Sequence, residues 1–303
     1  MAIETARTVS NGDVEIAVFE QGNPNGDVLV LMHGWPDTHQ LWNRVSPLLA
    51  DRFHVVSFDN RGAGASTVPD AVDAYRIERL ADDLFAVIDA VSPDRPVHVL
   101  AHDWGAVVGW EAVVDARAAD RIASFTSISG PNLDRLGAWM RQKLTSGKAG
   151  DLLQVGRQAL ASSYTVAFQI PGLPIPVLKV LAPRWPQFLS FFDELDPSVV
   201  HTSPTLPSDI VACLKLYRAN IRGRLGSPDL RRTDVPVLFI VGVRDKAVLP
   251  VIFDDVDDWA SSVRKRSVPA GHWSPISHPA DVARHTAEFI ADLVPDRSRA
   301  ESL

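Results

Sequence analysis

Four short segments place residues together that could do chemistry. Ala101-His102-Asp103-Trp104-Gly105 follows the apolar run Val97–Leu100 and leads straight into a helical pattern. That is a strand, a tight turn and a helix, with a candidate nucleophile on the turn and small residues flanking it, where a larger Cβ would clash. The residue on the turn is an aspartate. A carboxylate is ionised at neutral pH without help from a base, and it suits attack at saturated carbon with formation of an ester. The adjoining helix N-terminus favours its anionic form. Taken alone, the pentapeptide also fits a plain helix N-cap, a common role for Asp.

The other three segments narrow the choice. His33-Gly34-Trp35-Pro36 follows a buried apolar run about seventy residues before the turn. In a strand-turn-helix nucleophile arrangement such a loop offers a backbone N–H to a developing oxyanion, here that of Trp35, and the residue after the nucleophile, Trp104, offers the second. Gly271-His272-Trp273 follows a short strand pattern near the C-terminus, and Asp245 lies in Gly242-Val-Arg-Asp-Lys-Ala-Val just after the apolar run Val235–Val241. The order nucleophile Asp103, acid Asp245, histidine His272 is the one this arrangement uses. Asp254, Asp255, Asp257 and Asp258 compete for the acid's place but fall in a stretch read as the solvated face of a helix. With no Ser at the turn, a serine esterase is excluded.

The elements needed to hold these loops are legible as alternating strands and helices. Strand patterns run over Val14–Glu20, Asp27–Met32, Phe53–Phe58, Val97–Ala101 and Ile122–Ser129; helical ones cover about Ile77–Ala90 and Trp104–Ala116. This alternation predicts an α/β fold with a mostly parallel sheet and helices on both faces. From Pro131 to Leu230 no clean strand occurs, prolines are frequent and amphipathic helices alternate with loops. The sheet pattern resumes at Val235–Val241, so this region reads as a lid inserted between two strands. The expected division is a core of residues 1–130 and 231–303 and a helical lid of residues 131–230. A helix over about Ile252–Ala260, a strand over Arg264–Val268 and a last helix over about Ala280–Leu293 complete the core, and the polar tail Pro295–Leu303 is expected to be loose.

Composition limits the partners. Of 303 residues 46% are apolar, and the net charge is −7 with no long basic stretch, which argues against nucleic acid. The single cysteine, Cys213, allows no internal disulfide. No apolar run is long enough to span a bilayer, and the N-terminal residues read as strand rather than signal peptide, so the cytoplasm is the expected location. No His, Cys or carboxylate cluster has metal-ligand spacing, and Gly62-Ala-Gly64-Ala is too short and misplaced for a dinucleotide loop. Neither metal nor cofactor is expected.

At this point the chain resembles a known family. His33-Gly-Trp-Pro-Asp37, Asp59-Asn-Arg-Gly-Ala-Gly-Ala-Ser66 and Ala101-His-Asp-Trp-Gly-Ala106, together with the Asp245 and His272 loops, resemble the α/β-hydrolase-fold epoxide hydrolases over roughly residues 10–292. The likeness is strongest to actinobacterial epoxide-hydrolase-like domains, some of which are fused to a short-chain dehydrogenase; the 303 residues contain no such segment. The related haloalkane dehalogenases share the His-Asp-Trp-Gly turn, and the lid separates the two. Epoxide hydrolases of this family carry two lid tyrosines that hold and protonate the epoxide oxygen. The matching positions are Tyr164, ahead of Phe168-Gln-Ile-Pro-Gly172, and Tyr217 in Leu216-Tyr-Arg-Ala-Asn220, two of only three tyrosines in the chain. One departure is that the lid after Gly172 (Leu-Pro-Ile-Pro-Val-Leu-Lys-Val-Leu) lacks the acidic residue common there and is strongly apolar.

The resemblance implies hydrolysis of a lipophilic epoxide to a 1,2-diol through an ester on Asp103, with the small-molecule epoxide and water as partners and a homodimer left open. Two rivals remain. A haloalkane dehalogenase would use the Trp104 indole with a second donor, often an Asn at the position that Trp35 fills or a lid tryptophan, for which Trp139 and Trp185 are candidates, and a catalytically silent binding protein would keep the fold alone.

Overall fold

The computed structural model describes residues 5–293. The strands are β1 (Thr5–Asn11), β2 (Val14–Gly22), β3 (Val28–Met32), β4 (His54–Phe58), β5 (Val97–His102), β6 (Ile122–Ile128), β7 (Val237–Gly242) and β8 (Val263–Val268). They form one sheet in the order β1-β2-β4-β3-β5-β6-β7-β8. β1 and β2 are antiparallel to their neighbours, and the remaining strands are parallel. Every residue of β3 and of β5 is buried, as a central parallel strand covered on both faces requires.

The strand order reverses about β3, which has β4 on one side and β5 on the other. At such a switch point the loops leaving the carboxyl ends of the strands part and leave a crevice. Met32 pairs with Ala101 at the ends of β3 and β5, so the loop carrying Trp35 and the turn carrying Asp103 start side by side. The helix Ile77–Val91 covers the sheet with an apolar face that includes Leu80, Leu84, Val87 and Ile88, and Trp104–Val113 runs through the core almost wholly buried.

Between β6 and β7 the chain leaves the sheet and builds helices only, Leu133–Thr145, Ala149–Ala161, Tyr164–Phe168, Ile175–Leu181, Trp185–Asp193, Leu206–Ala212 and Leu214–Gly226 among them. It then returns to pair Phe125 with Val237 in parallel. This is the inserted helical lid. Asn220 fastens it to the core: its side chain accepts the Ile77 N–H and donates to the Tyr75 carbonyl.

Two expectations need correction. The helix expected over Ile252–Ala260 is only a short 3-10 turn, Pro250–Phe253, followed by irregular turns. Asp254, Asp255, Asp257 and Asp258 are poor helix formers that favour turns, while Val256 and Trp259 are drawn into the core, Trp259 against Trp110 and Phe239. The four aspartates are exposed, as expected. Strand β7 begins at Val237 rather than Val235 because Pro236 has no N–H to give to a ladder. The expectation for the tail Pro295–Leu303 lies outside the described residues.

Candidate active site

Asp103 occupies the turn between β5 and the following helix with φ of 52°. Non-glycine residues rarely adopt this conformation, and it persists only where the surroundings enforce it. They do so by close approach. A Cβ on Gly34 would strike the Asp103 side chain, one on Gly105 the His33 carbonyl, and one on Gly130 the Asp103 carbonyl. The small residues around the turn are therefore needed by three crowded backbones.

The Trp35 N–H donates to Asp103 Oδ1 at 2.8 Å. Trp104 stands at the first position of the helix, where an N–H has no partner within the helix. On the other side, Asp103 Oδ2 lies 3.5 Å from His272 Nε2. The opposite ring nitrogen, Nδ1, is 3.0 Å from Asp245 Oδ2 and so carries the proton toward that carboxylate. Asp245 Oδ1 accepts the N–H groups of Ala247 and Val248 at 2.8 and 2.9 Å, which fixes its orientation. Burial works to lower the His272 pKa, but the carboxylates of Asp245 and Asp103 outweigh it and hold the imidazole well above its ordinary range. Burial likewise opposes ionisation of Asp245, yet the His272 ring and the two loop N–H groups keep its carboxyl below the usual range.

Tyr164 and Tyr217 reach the same place from the lid, on the helices Tyr164–Phe168 and Leu214–Gly226. Their rings lie 6.1 Å apart and both line a cavity of about 280 Å³ that also includes Asp103 and His272. Two cross-ties hold these helices in register: Gln169 donates to the Tyr217 carbonyl at 3.0 Å and Arg218 to the Phe168 carbonyl at 2.9 Å. These bonds account for the Phe-Gln and Tyr-Arg pairs in the sequence. Burial, reinforced by Asp103, raises both phenols, and for Tyr217 the neighbouring Tyr164 adds to the effect. Both stay protonated at any working pH. The rest of the cavity wall is apolar, with Leu178, Leu181, Trp185, Phe188 and Phe192 from the lid.

All seven residues singled out in the sequence thus come together, whereas Trp139 does not line the cavity. The Trp35 indole N–H is already committed to the Ile210 carbonyl at 3.1 Å. Three residues that the sequence reading did not single out hold the histidine loop. His102 donates from Nε2 to the His272 carbonyl at 2.9 Å, and burial, then the charge of His272, lowers its pKa to about 4, so its ring is neutral. Asp37 accepts the Trp273 indole N–H at 2.9 Å, and burial raises its pKa to about 7. Asp193, from the lid, accepts the backbone N–H groups of His272 and Trp273. Asp37 closes the His33-Gly-Trp-Pro-Asp37 motif, which marks it in the sequence; nothing in the sequence marks Asp193.

Residues 27–279 match the family described as alpha/beta hydrolase fold. The chain is 39% identical over 306 residues to "Probable oxidoreductase EphD" of Mycobacterium tuberculosis, covering 99% of this chain and 52% of that protein, so it spans about half the length of that relative. It is 30% identical to "Epoxide hydrolase A" of the same organism, covering 97% of this chain and 99% of that one. The fold matches the crystal structure of an epoxide hydrolase from Bacillus megaterium with a TM-score of 0.75 at 20% identity, over 94% of this chain and 100% of that one. Epoxide hydrolase VrEH1 from Vigna radiata gives 0.76 at 23%, over 95% and 98%. The geometry of the site, the family match and the full-length relative agree, and the chain belongs to the α/β-hydrolase-fold family, in the group that contains the epoxide hydrolases.

Proposed function

We propose that this protein hydrolyses lipophilic epoxides to 1,2-diols through an ester on Asp103. The observation that carries this reading is the pair of phenols, Tyr164 and Tyr217, facing Asp103 across one apolar cavity. An epoxide leaves as an alkoxide and needs a proton donor, whereas a halide needs none.

The Trp35 N–H holds Oδ1, which leaves Oδ2 as the attacking oxygen. Oδ2 bonds to an epoxide carbon as its C–O bond breaks, and Tyr164 or Tyr217 protonates the released oxygen. Oδ1 becomes the carbonyl oxygen of the ester. Formation of the ester removes the Asp103 charge, one of the two that hold the His272 proton, so the imidazolium pKa falls and Nε2 releases its proton to solvent, to be regained when the Asp103 carboxylate is restored. His272 Nε2 then takes a proton from a water that adds to the ester carbon, with Asp245 steadying the imidazolium. The oxyanion on Oδ1 rests on the N–H groups of Trp35 and Trp104. Collapse expels the second diol oxygen, which takes the proton from His272. The proton left on the Asp103 carboxyl returns to the tyrosinate through solvent. Residues 131–230 act as the lid that supplies the phenols and excludes bulk water.

The test is a single turnover in ¹⁸O-labelled water with an aromatic epoxide. The ester route puts the label into Asp103 first and leaves the first diol unlabelled; label in the first diol overturns it. Assay with a bromoalkane separates the haloalkane reading, for which Trp185, in the cavity wall, is the candidate second donor. A protein that turns over neither substrate would be the silent form of the fold.

A further inference from the structure

The outer side of the lid carries an apolar stripe that this chemistry does not use. Val166, Ile170, Leu173, Val177 and Val180 are exposed by 68, 50, 56, 68 and 63%. They recur at spacings of four, three, four and three residues. Hydrogen-bonded turns join the helix Tyr164–Phe168 to Ile175–Leu181, from the Ile170 N–H to Ala167, Leu173 to Ile170 and Ile175 to Gly172. Gly172, with φ of 82°, interrupts the helical winding between the two helices, so what unites the five is their exposure within one fifteen-residue stretch of the lid. Phe191, on the next long helix, is 87% exposed. Isolated apolar side chains on a surface are ordinary, but a contiguous run of this kind marks a surface that something covers.

The charges around the stripe say what covers it. From Leu152 to Phe192 the sequence contains no Asp or Glu, while Arg157, Lys179 and Arg184 contribute three cations, all exposed. The chain as a whole has the opposite balance, 37 acidic residues against 30 Lys and Arg. A second copy meeting this face would set cations against cations with no acid in the stretch to pair them. An anionic headgroup layer satisfies them, while the valines and leucine enter the acyl boundary, the arrangement used by segments that lie in a membrane interface. The acidic remainder of the chain is repelled from the same layer, which orients the lid toward it.

We propose that this face of the lid docks on an anionic lipid bilayer. Leu178 and Leu181 line the cavity from the helix that carries Val177 and Val180 outward, and Phe188 and Phe192 line it from the helix that carries Phe191. Docking therefore brings the cavity wall to within one helix diameter, roughly 10 Å, of the lipid. That this would deliver a lipophilic substrate rests on the proposed epoxide chemistry; the docking does not.

The test is vesicle co-sedimentation of the 303-residue chain, with phosphatidylcholine alone and with phosphatidylcholine mixed with phosphatidylglycerol. Binding is expected to the mixed vesicles, weakened by salt. V177D/V180D should abolish it, and Lys179→Glu with Arg184→Glu should weaken it by roughly fivefold per cation. These side chains are exposed, so the thermal midpoint should hardly move and epoxide turnover on a water-soluble substrate should persist. The proposal is overturned if neither vesicle is bound, or if V177D/V180D binds as the parent does. It is also overturned if light scattering shows a dimer that V177D/V180D dissociates, which would assign the stripe to a second copy.

Discussion

The Asp193 carboxylate, at the end of a lid helix, accepts the backbone N–H of His272 at 2.6 Å and that of Trp273 at 2.8 Å. The contact is so close that a Cβ on Gly271 would collide with Asp193. The lid is therefore tied directly to the loop that positions His272 for ester hydrolysis. Asp193→Asn keeps the shape but offers one acceptor and a misdirected NH₂. The expected result is a loss of about 1–3 kcal/mol in stability and a fall of about 10–100-fold in kcat. KM should change less, and pre-steady-state ester formation should survive, because His272 acts only in the second step. Parent-like kcat would show that the lid does not position the histidine.

Asp103→Asn should abolish immediate turnover with the fold intact, since an amide of the same size is a poor nucleophile. Deamidation could restore activity with time, so freshly prepared protein is assayed for diol. Full initial activity would remove Asp103 from the mechanism.

His272→Gln separates the two steps. One equivalent of epoxide should be consumed and then turnover should stop, leaving a mass increase on the peptide that contains Asp103. Absence of both burst and adduct would refute the order of steps.

Replacing Tyr164 or Tyr217 singly with Phe should slow ester formation, because one phenol remains. The double replacement should cost at least the 10²–10⁴-fold that a general acid typically contributes. Tyr217 is buried and Phe preserves its ring contacts with Trp104 and Phe168, so folding should be little affected. Parent-rate epoxide opening by the double variant would defeat the epoxide reading and leave Asp103, His272 and Asp245 untouched.

Asp37 gives a prediction in pH. Its carboxyl is raised from the ordinary range to about 7 by burial. Below pH 4 both folded and unfolded chains hold the proton. As pH rises toward 7 the unfolded chain releases it first, so this group's contribution to stability is lost across that window. Asn at this position can still accept the Trp273 indole N–H but cannot ionise. Asp37→Asn should therefore be the more stable protein at pH 8, by on the order of 1–3 kcal/mol, with the advantage vanishing near pH 4. Urea denaturation at the two pH values measures it, and an equal difference at both would contradict the assignment.

How much could be read without the fold depended on how local each requirement is. The Asp103 turn was legible because a strand, a tight turn and a helix must follow one another directly, and only small residues fit beside it; Gly34, Gly105 and Gly130 show the crowding that demands them. The tyrosines stood out through short motifs whose Gln169 and Arg218 turn out to tie the two lid helices together. The stretch Ile252–Ala260 was misread because helical spacing of its apolar residues also serves a segment folded irregularly onto Trp110 and Phe239. Asp193 was invisible. Its partners lie 79 and 80 residues away and are backbone N–H groups, which leave no trace in side-chain pattern. The stripe from Val166 to Val180 is the complementary case: its spacing is written in the sequence, but the same spacing would suit a helix facing the core. Only the tertiary structure, by turning Leu178 and Leu181 inward to the cavity, decided that the stripe faces out.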